Sequence, residues 1–426
     1  MFRKLLQQRF LVPVLLVVGI GRFCPHYDAN AQFPEHAEAI HLARSLAFHH
    51  QYANAFRLAQ TGPSAYCSPA FPALLASIVL VFGTGAKGHF AFQFAAALAT
   101  ATELALLPLL TETMGLGVCS GLLACVIGWV PPLLTFPDWE ASYAALLCVV
   151  ATILFWRVVS RSEERRLSAA LLGTVTGLLL LTSASSSLVV AAWCLYCLSK
   201  FGRRVLGEGR WAALLIVVVM LTPWTVRNYV VFHRFIPLRN ALGFNLAISN
   251  NDCAPVSMMQ SEESGCVMRK SPNYNLEEAQ RVQTLGEAQY DKVKLHEAYI
   301  WIRANPRRFL SLTLQRVYVF WVPSETASPW REITVQGQRK VRLVIYVMTI
   351  LSLPGWLLMA RANRDASIVL GLWLLLFPPI YYIALYEGRY RYPILWVTFV
   401  CAGYFLSRIA GVLFPSPDAP KGTRPA

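Results

Sequence analysis

Acidic residues in two short polar segments are the first candidates for chemistry. Glu35 and Glu38 lie at the start of a stretch with apolar residues at helical spacing, and Asp138 and Glu140 lie between two long apolar stretches. Such carboxylates can act as general bases or help to hold a metal ion. The same residues would also occur as charges at the start of an interfacial helix, or as solvated charges at a membrane boundary. The pattern leaves both interpretations open.

Arginines beside aromatic residues form a second set. Arg227 and Asn228 come at the end of one apolar stretch, and Arg389 and Arg391 alternate with tyrosines in a short turn. The planar guanidinium group matches phosphate oxygens with paired hydrogen bonds. These residues favour binding of an anionic headgroup or a phosphate. Ordinary anchoring at the membrane interface is the alternative for Arg227.

The composition shows which elements must position these residues. Of 426 residues, 56% are hydrophobic and 14% are charged, unlike a soluble globular domain. Helices crossing about 30 Å of hydrocarbon need about 20 apolar residues, and the alternating segments of a membrane β-barrel are absent from the sequence. We therefore predict an all-α polytopic membrane protein. Its ten predicted spans are 8–24, 89–110, 114–135, 141–158, 167–182, 184–199, 211–229, 341–360, 366–386 and 393–412.

Clusters of lysine and arginine set the orientation of these spans. They lie before the first span and in 157–166, 200–210, 361–364 and 421–424, which we therefore place in the cytoplasm. This topology also accounts for most of the net charge of +15, so we exclude nucleic acid as a partner. A first span that is retained is favoured over a signal peptide cleaved near Ala29–Ala31, because that site lies well beyond the apolar run.

Two further apolar stretches, 70–83 and 309–322, would put arginine-rich loops on the wrong side if they crossed. We expect both to lie along the outer interface as amphipathic, juxtamembrane helices. Both termini are then inside, and the large outer segments are 25–88 and 230–340. The predicted modules are 1–229, 230–340 and 341–426. In the second we expect a helix over about 277–304, ended by Pro306.

Cysteines and histidines give weaker signals. Cys253 and Cys266 fall in a polar outer segment and are candidates for a disulfide. No pair of closely spaced cysteines is joined by a second pair, so a zinc site is not predicted. A divalent metal ion remains a candidate cofactor. The histidines that could contribute to it, unless they are merely solvated, are His36, His41, His49 and His50.

At these residues the chain resembles the GT-C membrane glycosyltransferases, in the branch of the protein O-mannosyltransferases (family 39) and the aminoarabinose transferases of lipid A. The motifs are Glu38–Ala47, Thr61–Ala76, Pro223–Tyr229 and Arg389–Pro393, and the resemblance covers most of the chain. The chain also departs from relatives. Ala39 follows Glu38 where many have an Asp-Glu pair, Cys67 and Ser68 stand at a lysine position, and His49–Tyr52 replaces a Gly-x-Gly-Phe turn.

The resemblance implies transfer of a sugar from a polyprenyl-phosphate donor, with inversion, at the periplasmic face of a bacterial cytoplasmic membrane. The acceptor is a protein, a lipid or a glycan, and membrane lipids surround the enzyme. By resemblance Glu38 is the catalytic base, and Glu140 is the second acidic residue, with Asp138 as the weaker match. The residues expected to bind substrate are Glu35, Arg44, Tyr66, Arg227, Asn228, Arg389 and Arg391.

Two other functions fit a polytopic chain. A lipid or solute transporter should carry ionisable groups within its spans, whereas Glu103 is the only acidic residue well inside one here. An inactive family member could serve as a scaffold for envelope assembly. The gathering of ionisable residues outside the spans favours an enzyme.

Overall fold

The computed structural model describes residues 2–35, 37–130, 139–160, 165–202, 211–322 and 335–413. Within these ranges the chain forms helices and no strand beyond two isolated β-bridges. The N-terminal helices are α1 (Phe2–Phe23), α2 (Glu38–His49), α3 (Ala70–Phe82), α4 (Ala86–Ala105), α5 (Leu107–Thr113), α6 (Val118–Trp129), α7 (Ala141–Ser160), α8 (Arg165–Thr182), α9 (Ser187–Phe201) and α10 (Trp211–Phe232).

The remaining helices form an outer group and a C-terminal group. The outer group is α11 (Leu242–Ser249), α12 (Met258–Glu263), α13 (Cys266–Lys270), α14 (Leu276–Leu285), α15 (Glu287–Ala304) and α16 (Pro306–Trp321). The C-terminal group is α17 (Val335–Ala362), α18 (Arg364–Leu376), α19 (Pro379–Tyr382) and α20 (Tyr392–Leu413).

Seven of the predicted spans coincide with helices long and apolar enough to cross a membrane. They are Ala86–Thr113, Ala141–Ser160, Ala184–Phe201, Trp211–Phe232, Arg339–Ala362, Arg364–Tyr382 and Tyr392–Val412. The other three fall on the shorter apolar helices Phe10–Phe23, Val118–Trp129 and Arg166–Thr182. The all-α membrane fold is confirmed. The count of ten spans is not established by helix length, and residues 131–135 of one predicted span lie outside the described ranges.

Small residues let the central helices pack closely. A Cβ atom on Gly355 of α17 would overlap the carbonyl oxygen of Cys401 on α20. One on Gly403 would overlap the carbonyl oxygen of Ser120 on α6. Glycine at such positions brings helix backbones together where lipid supplies no hydrophobic driving force. Helix α20 therefore forms the centre of the bundle, and it leads directly from the turn that carries Arg389.

The outer group differs from the sequence prediction at one point. The single helix expected over 277–304 is two helices, α14 and α15, because Gly286 has a φ of 74°. Glycine adopts that left-handed conformation without steric cost, so it ends one helix and starts the next. Pro306 does follow the end of α15, and it opens α16 as its first residue.

Two features hold the outer group to the bundle. Cys253 and Cys266 form a disulfide, with their Cα atoms 5.7 Å apart. Arg316 of α16 is fully buried and donates to the carbonyl oxygens of Ser249 and Pro255. Burial lowers the pKa of Arg316 to about 10. Arg316, which interrupts the apolar stretch 309–322, thus points into the protein and donates hydrogen bonds to the outer loops.

Candidate active site

Glu38 is the first residue of α2, where the helix dipole favours a carboxylate. Its Oε1 accepts a hydrogen bond of 2.7 Å from Nδ2 of Asn273, which comes from the loop between α13 and α14. Asn273 is 7% exposed, and its carbonyl oxygen accepts a 2.9 Å hydrogen bond from Nε of Arg57. The outer group therefore closes over the start of α2 and orients the Glu38 carboxylate.

Four carboxylates from separate segments share one electrostatic environment. Glu387 is 19% exposed and accepts a 2.7 Å ion pair from Nε of Arg389. Burial raises the pKa of Glu387, Arg389 opposes this, and the charges of Glu38, Glu262 and Glu140 raise it further. These carboxylates lie close enough to affect one another's pKa, although Glu38 and Glu387 are more than 340 residues apart in the sequence. The structure thus brings Glu38 and Glu140 into one cluster of charged side chains with Glu387 and Arg389, which we call the chamber.

The second predicted acidic segment reaches this chamber through Trp139. The guanidinium carbon of Arg389 lies 3.1 Å from the centre of the Trp139 ring. The neighbouring Glu140 raises the pKa of Arg389 together with Glu387, against the lowering effect of burial. Arg389 therefore stays charged. Asp138, the weaker candidate, lies outside the described residues.

Arg389 has one N–H group that is not used in a hydrogen bond within the described residues. Its side chain is 13% exposed, and its Nη1 atom is buried with no hydrogen-bond partner among the described residues. A buried, unsatisfied donor on a charged group is costly unless a ligand supplies the acceptor. Arg389 is therefore suited to bind an anion in the chamber.

Arg239 is a site residue that sequence reasoning missed. Its guanidinium lies over the ring of Tyr66, 5.6 Å from the centre, and makes no hydrogen bond to any residue that the structure describes. The charges of Cys67, Tyr66 and Glu140 raise its pKa against the effect of burial. Nothing in the local sequence distinguishes Arg239 from the other outer arginines. Only its position over Tyr66 does so.

Arg227 and Asn228 hold the first outer loop in place. Arg227 donates to the carbonyl oxygens of Ser64 and Tyr52, at 2.7 and 2.9 Å, and to Oδ1 of Asn228. Asn228 is fully buried and donates to the carbonyl oxygen of Ile236. Three donor contacts of Arg227 are thus directed at protein oxygens. A role of either residue in substrate binding stays a prediction.

Arg391 is placed in a similar way. It is 3% exposed and donates to the carbonyl oxygen of Trp321 at 2.9 Å and to Oγ1 of Thr349 at 2.7 Å. These contacts join the turn before α20 to α16 and α17. The structure therefore separates Arg391 from Arg389, although both lie in the same motif.

Glu35 and Arg44 form an ion pair on the outer surface of α2. The Glu35 side chain is 70% exposed, and the hydrogen bond from Arg44 lowers its pKa. Tyr66, by contrast, is buried beneath Arg239 and packs on Phe244. Of the predicted site residues, four lie in the chamber: Glu38, Glu140, Tyr66 and Arg389. Glu35 and Arg44 lie outside it.

The described residues do not assemble a metal site. No three histidine, cysteine, aspartate or glutamate side chains among them come together closely enough to hold an ion. Three of the four predicted histidine ligands, His41, His49 and His50, belong to these residues, and His36 lies outside them. Asp138 and His36 lie outside the described residues, so a divalent metal ion stays a prediction.

Comparison with solved structures identifies the fold. The archaeal oligosaccharyltransferase AglB from Archaeoglobus fulgidus, in complex with an inhibitory peptide and a dolichol-phosphate, superposes with a TM-score of 0.58. The two chains are 13% identical, and the match covers 98% of this chain and 53% of that one. An oligosaccharyltransferase from Archaeoglobus fulgidus, tethered to an acceptor peptide, gives a TM-score of 0.57 at 13% identity, covering 96% of this chain and 50% of that one. This chain thus spans about half the length of these structures.

ArnT from Cupriavidus metallidurans, bound to undecaprenyl phosphate, matches with a TM-score of 0.39 and 12% identity, over 94% of this chain and 78% of that one. No protein-family model matches the chain, and no curated protein sequence does. The superposition on AglB confirms the fold that the sequence predicts: the chain has the architecture of a GT-C membrane protein.

Proposed function

We propose, from the GT-C fold of this chain, that it is an integral membrane glycosyltransferase that uses a sugar linked to polyprenyl phosphate. The supporting observation is the chamber, in which Asn273 orients the Glu38 carboxylate. Arg239 and Arg389 lie nearby, and both have N–H groups that make no hydrogen bond to a described residue. The solved AglB structure contains a dolichol-phosphate, a polyisoprenoid phosphate like the carrier of the proposed donor. The transfer takes place at the periplasmic face of the cytoplasmic membrane.

The proposed reaction is one displacement. Glu38 removes the proton from an acceptor hydroxyl while that oxygen attacks the anomeric carbon. The bond between that carbon and the phosphate oxygen breaks on the opposite face, so the configuration inverts. Polyprenyl phosphate leaves with the bonding electron pair, and Arg239 and Arg389 stabilise the negative charge that develops on it.

Asn273 contributes to this step by holding the carboxylate. Its 2.7 Å hydrogen bond to Oε1 fixes the rotamer of Glu38 and leaves Oε2 available to the acceptor. Ordered geometry of this kind lowers the entropy cost of reaching the transition state. No step proposed here depends on a metal ion.

Cleavage of a labelled donor tests the proposal. Purified protein in lipid nanodiscs is incubated with a radiolabelled undecaprenyl-phosphate sugar and a mixture of envelope acceptors, and released undecaprenyl phosphate is measured by chromatography. We expect release with the wild type. A transporter or an inactive scaffold would leave the donor intact, and that result would overturn the proposal.

A further inference from the structure

A second concave surface lies on the outer side of α2, apart from the chamber. It is a groove of about 610 Å³ between α2 and the loop that follows it. Helix α2 contributes His41, Arg44, Phe48 and His49, and the loop contributes Arg57 and Gln60. Clefts of this size are typical of small-ligand sites. None of the groups described in the proposed reaction uses this groove.

One face of α2 leads from the proposed base to the groove. Glu38, Ser45 and His49 occur at positions i, i+7 and i+11 of α2, which places them on one face of the helix. With a rise of 1.5 Å per residue, that face extends for about 16 Å from Glu38. Arg57 also connects the two places, because it donates to the carbonyl oxygen of Asn273, the residue that binds Glu38.

The lining of the groove is basic. It contains two arginines and two histidines and no carboxylate. Arg44 is paired with Glu35, whereas both Nη groups of the exposed Arg57 make no hydrogen bond to a described residue. A groove with these charges attracts an anion and disfavours a cation.

The other lining groups suit a sugar. The Phe48 side chain is 55% exposed and presents an apolar ring face, and Asn54 and Gln60 place amides on the opposite wall. Ser45 is 7% exposed, and its Oγ has no hydrogen-bond partner among the described residues. Amide and hydroxyl groups around one aromatic ring offer hydrogen bonds to hydroxyls and an apolar surface to ring carbons.

We infer that this groove binds the acceptor, and that the acceptor is an anionic saccharide. This inference rests on the proposed function, because it needs Glu38 to be the base toward which the acceptor hydroxyl is directed. The carboxylate or phosphate groups of the saccharide bind Arg57 and the histidines, and its terminal hydroxyl reaches Glu38 along the face of α2.

Equilibrium binding without donor tests this inference. The full chain in nanodiscs is titrated with tetragalacturonate, with uncharged tetragalactose, with tetragalacturonate linked to undecaprenyl diphosphate, and with an aspartate tetrapeptide. The variants are Arg57→Gln and His49→Gln. Lys270→Gln, which removes an equally exposed outer charge that does not line the groove, is the control. His49→Gln also guards against misfolding of Arg57→Gln, since His49 is exposed and makes no contact with Asn273.

We expect the charged saccharide to bind at least tenfold more tightly than the uncharged one. Arg57→Gln and His49→Gln should each reduce that preference severalfold, and Lys270→Gln should leave it unchanged. Whether the free or only the lipid-linked form binds identifies the source of the acceptor. Equal binding of the charged and uncharged saccharides, or binding of the aspartate peptide as tight as that of the saccharide, would overturn the inference. Because no donor is present, this result is independent of whether the donor is cleaved.

Discussion

Arginine side chains on the outer face fall into two groups according to what accepts their hydrogen bonds. Arg227 and Arg391 donate to backbone carbonyls or hydroxyls of distant segments. Arg239 lies on an aromatic ring without a hydrogen bond to a described residue, and Arg389 pairs with Glu387 of its own turn and has a buried Nη1 without a partner among the described residues. The residues of the second group can bind a ligand without losing contacts that hold the fold together.

This difference predicts which arginine binds the phosphate of the donor. A hydrogen bond to a charged group contributes about 1.5–3 kcal/mol, so Arg239→Gln should weaken binding of undecaprenyl phosphate about tenfold or more. Folding should be unaffected, because the Arg239 guanidinium makes no hydrogen bond to a described residue. Lys270→Gln is the control, and the dissociation constant is measured by titration in nanodiscs. Equal affinity of the Arg239→Gln variant and the wild type would contradict the assignment.

Glu287 gives the fold a predictable pH dependence. Its Oε1 accepts the 2.7 Å hydrogen bond from the backbone N–H of Ala65, and burial raises its pKa from 4.5 to about 7. Between pH 4.5 and about 7, the Glu287 carboxyl is ionised in the unfolded state and protonated in the folded state. The contribution of Glu287 to stability is therefore fully present below about pH 4.5 and is lost as pH rises through about 7.

Glu287→Gln keeps an oxygen acceptor for Ala65 and cannot ionise. Between pH 5 and pH 8, the unfolding temperature of the wild type should fall more than that of the variant, by at least about 2 °C. Thermal unfolding in detergent measures the difference. The same fall in both proteins would show that Glu287 does not titrate as the structure indicates.

At the scale of elements, the segment from Cys253 to Asn275 positions the base. The disulfide Cys253–Cys266 closes its first half, and Asn273 from its second half binds Glu38. A backbone bridge between Ser257 and Tyr386 joins the segment to the turn that carries Arg389. The segment therefore connects the carboxylate side and the arginine side of the chamber.

Removing the disulfide should therefore slow transfer. Small misplacements of a catalytic group cost roughly 10- to 100-fold in rate, so the double variant Cys253→Ser/Cys266→Ser should lose about that much activity. Reductant should slow the wild type to the same extent and have no further effect on the double variant. Full activity of the double variant would show that the segment holds its position without the disulfide.

The sequence predicts these elements well where one physical signal dominates. Long apolar runs predict the seven helices that are long enough to cross a membrane, whereas the roles of Glu38, Glu140 and Arg389 stay predictions. The end of α18 at Leu376 also had a signal, because Pro378 and Pro379 cannot continue a helix, yet the predicted span ran to residue 386. Gly286 was harder, since a single glycine among good helix formers does not by itself end a helix.

The partners of Arg227 and Arg239 could not be predicted. Arg227 binds the carbonyl oxygen of Ser64, 163 residues earlier in the chain, and Arg239 lies on Tyr66. Both contacts depend on how the first outer loop folds against the second. Local sequence contains no information on that packing, so the motifs indicated Arg227, Arg389 and Arg391 and did not single out Arg239.

At the scale of the whole molecule, the bundle has a buried centre and a lipid-facing edge. The Ala141–Ser160 span is 72% buried within the protein, whereas Trp211–Phe232 and Ala184–Phe201 are 11% and 17% buried. The poorly buried helices expose aliphatic side chains such as Leu214, Val218 and Leu195. In the proposed function, the polyprenyl chain of the donor contacts this edge while its phosphate enters the chamber.

The topology predicted from charge has the outer group in the periplasm and the turn near residue 363 in the cytoplasm. Alkaline phosphatase is active only after export, so a fusion after Asn305 should be active in a bacterial host and one after Asn363 inactive. Arg361 and Arg364 flank the second site, which favours its cytoplasmic side. Fusion activities in the reverse order would put the chamber on the wrong side of the membrane for a periplasmic transferase.

The central claim is that Glu38 is the base of a sugar transfer, and one comparison of rates tests it most directly. Release of undecaprenyl phosphate from the labelled donor is measured for the wild type, for Glu38→Gln, and for Glu277→Gln, an exposed glutamate of the outer group outside the chamber. General-base catalysis contributes about 10²- to 10⁴-fold, so Glu38→Gln should lose at least a hundredfold in rate at unchanged membrane expression. Glu277→Gln should match the wild type. A Glu38→Gln variant with wild-type activity would contradict the claim.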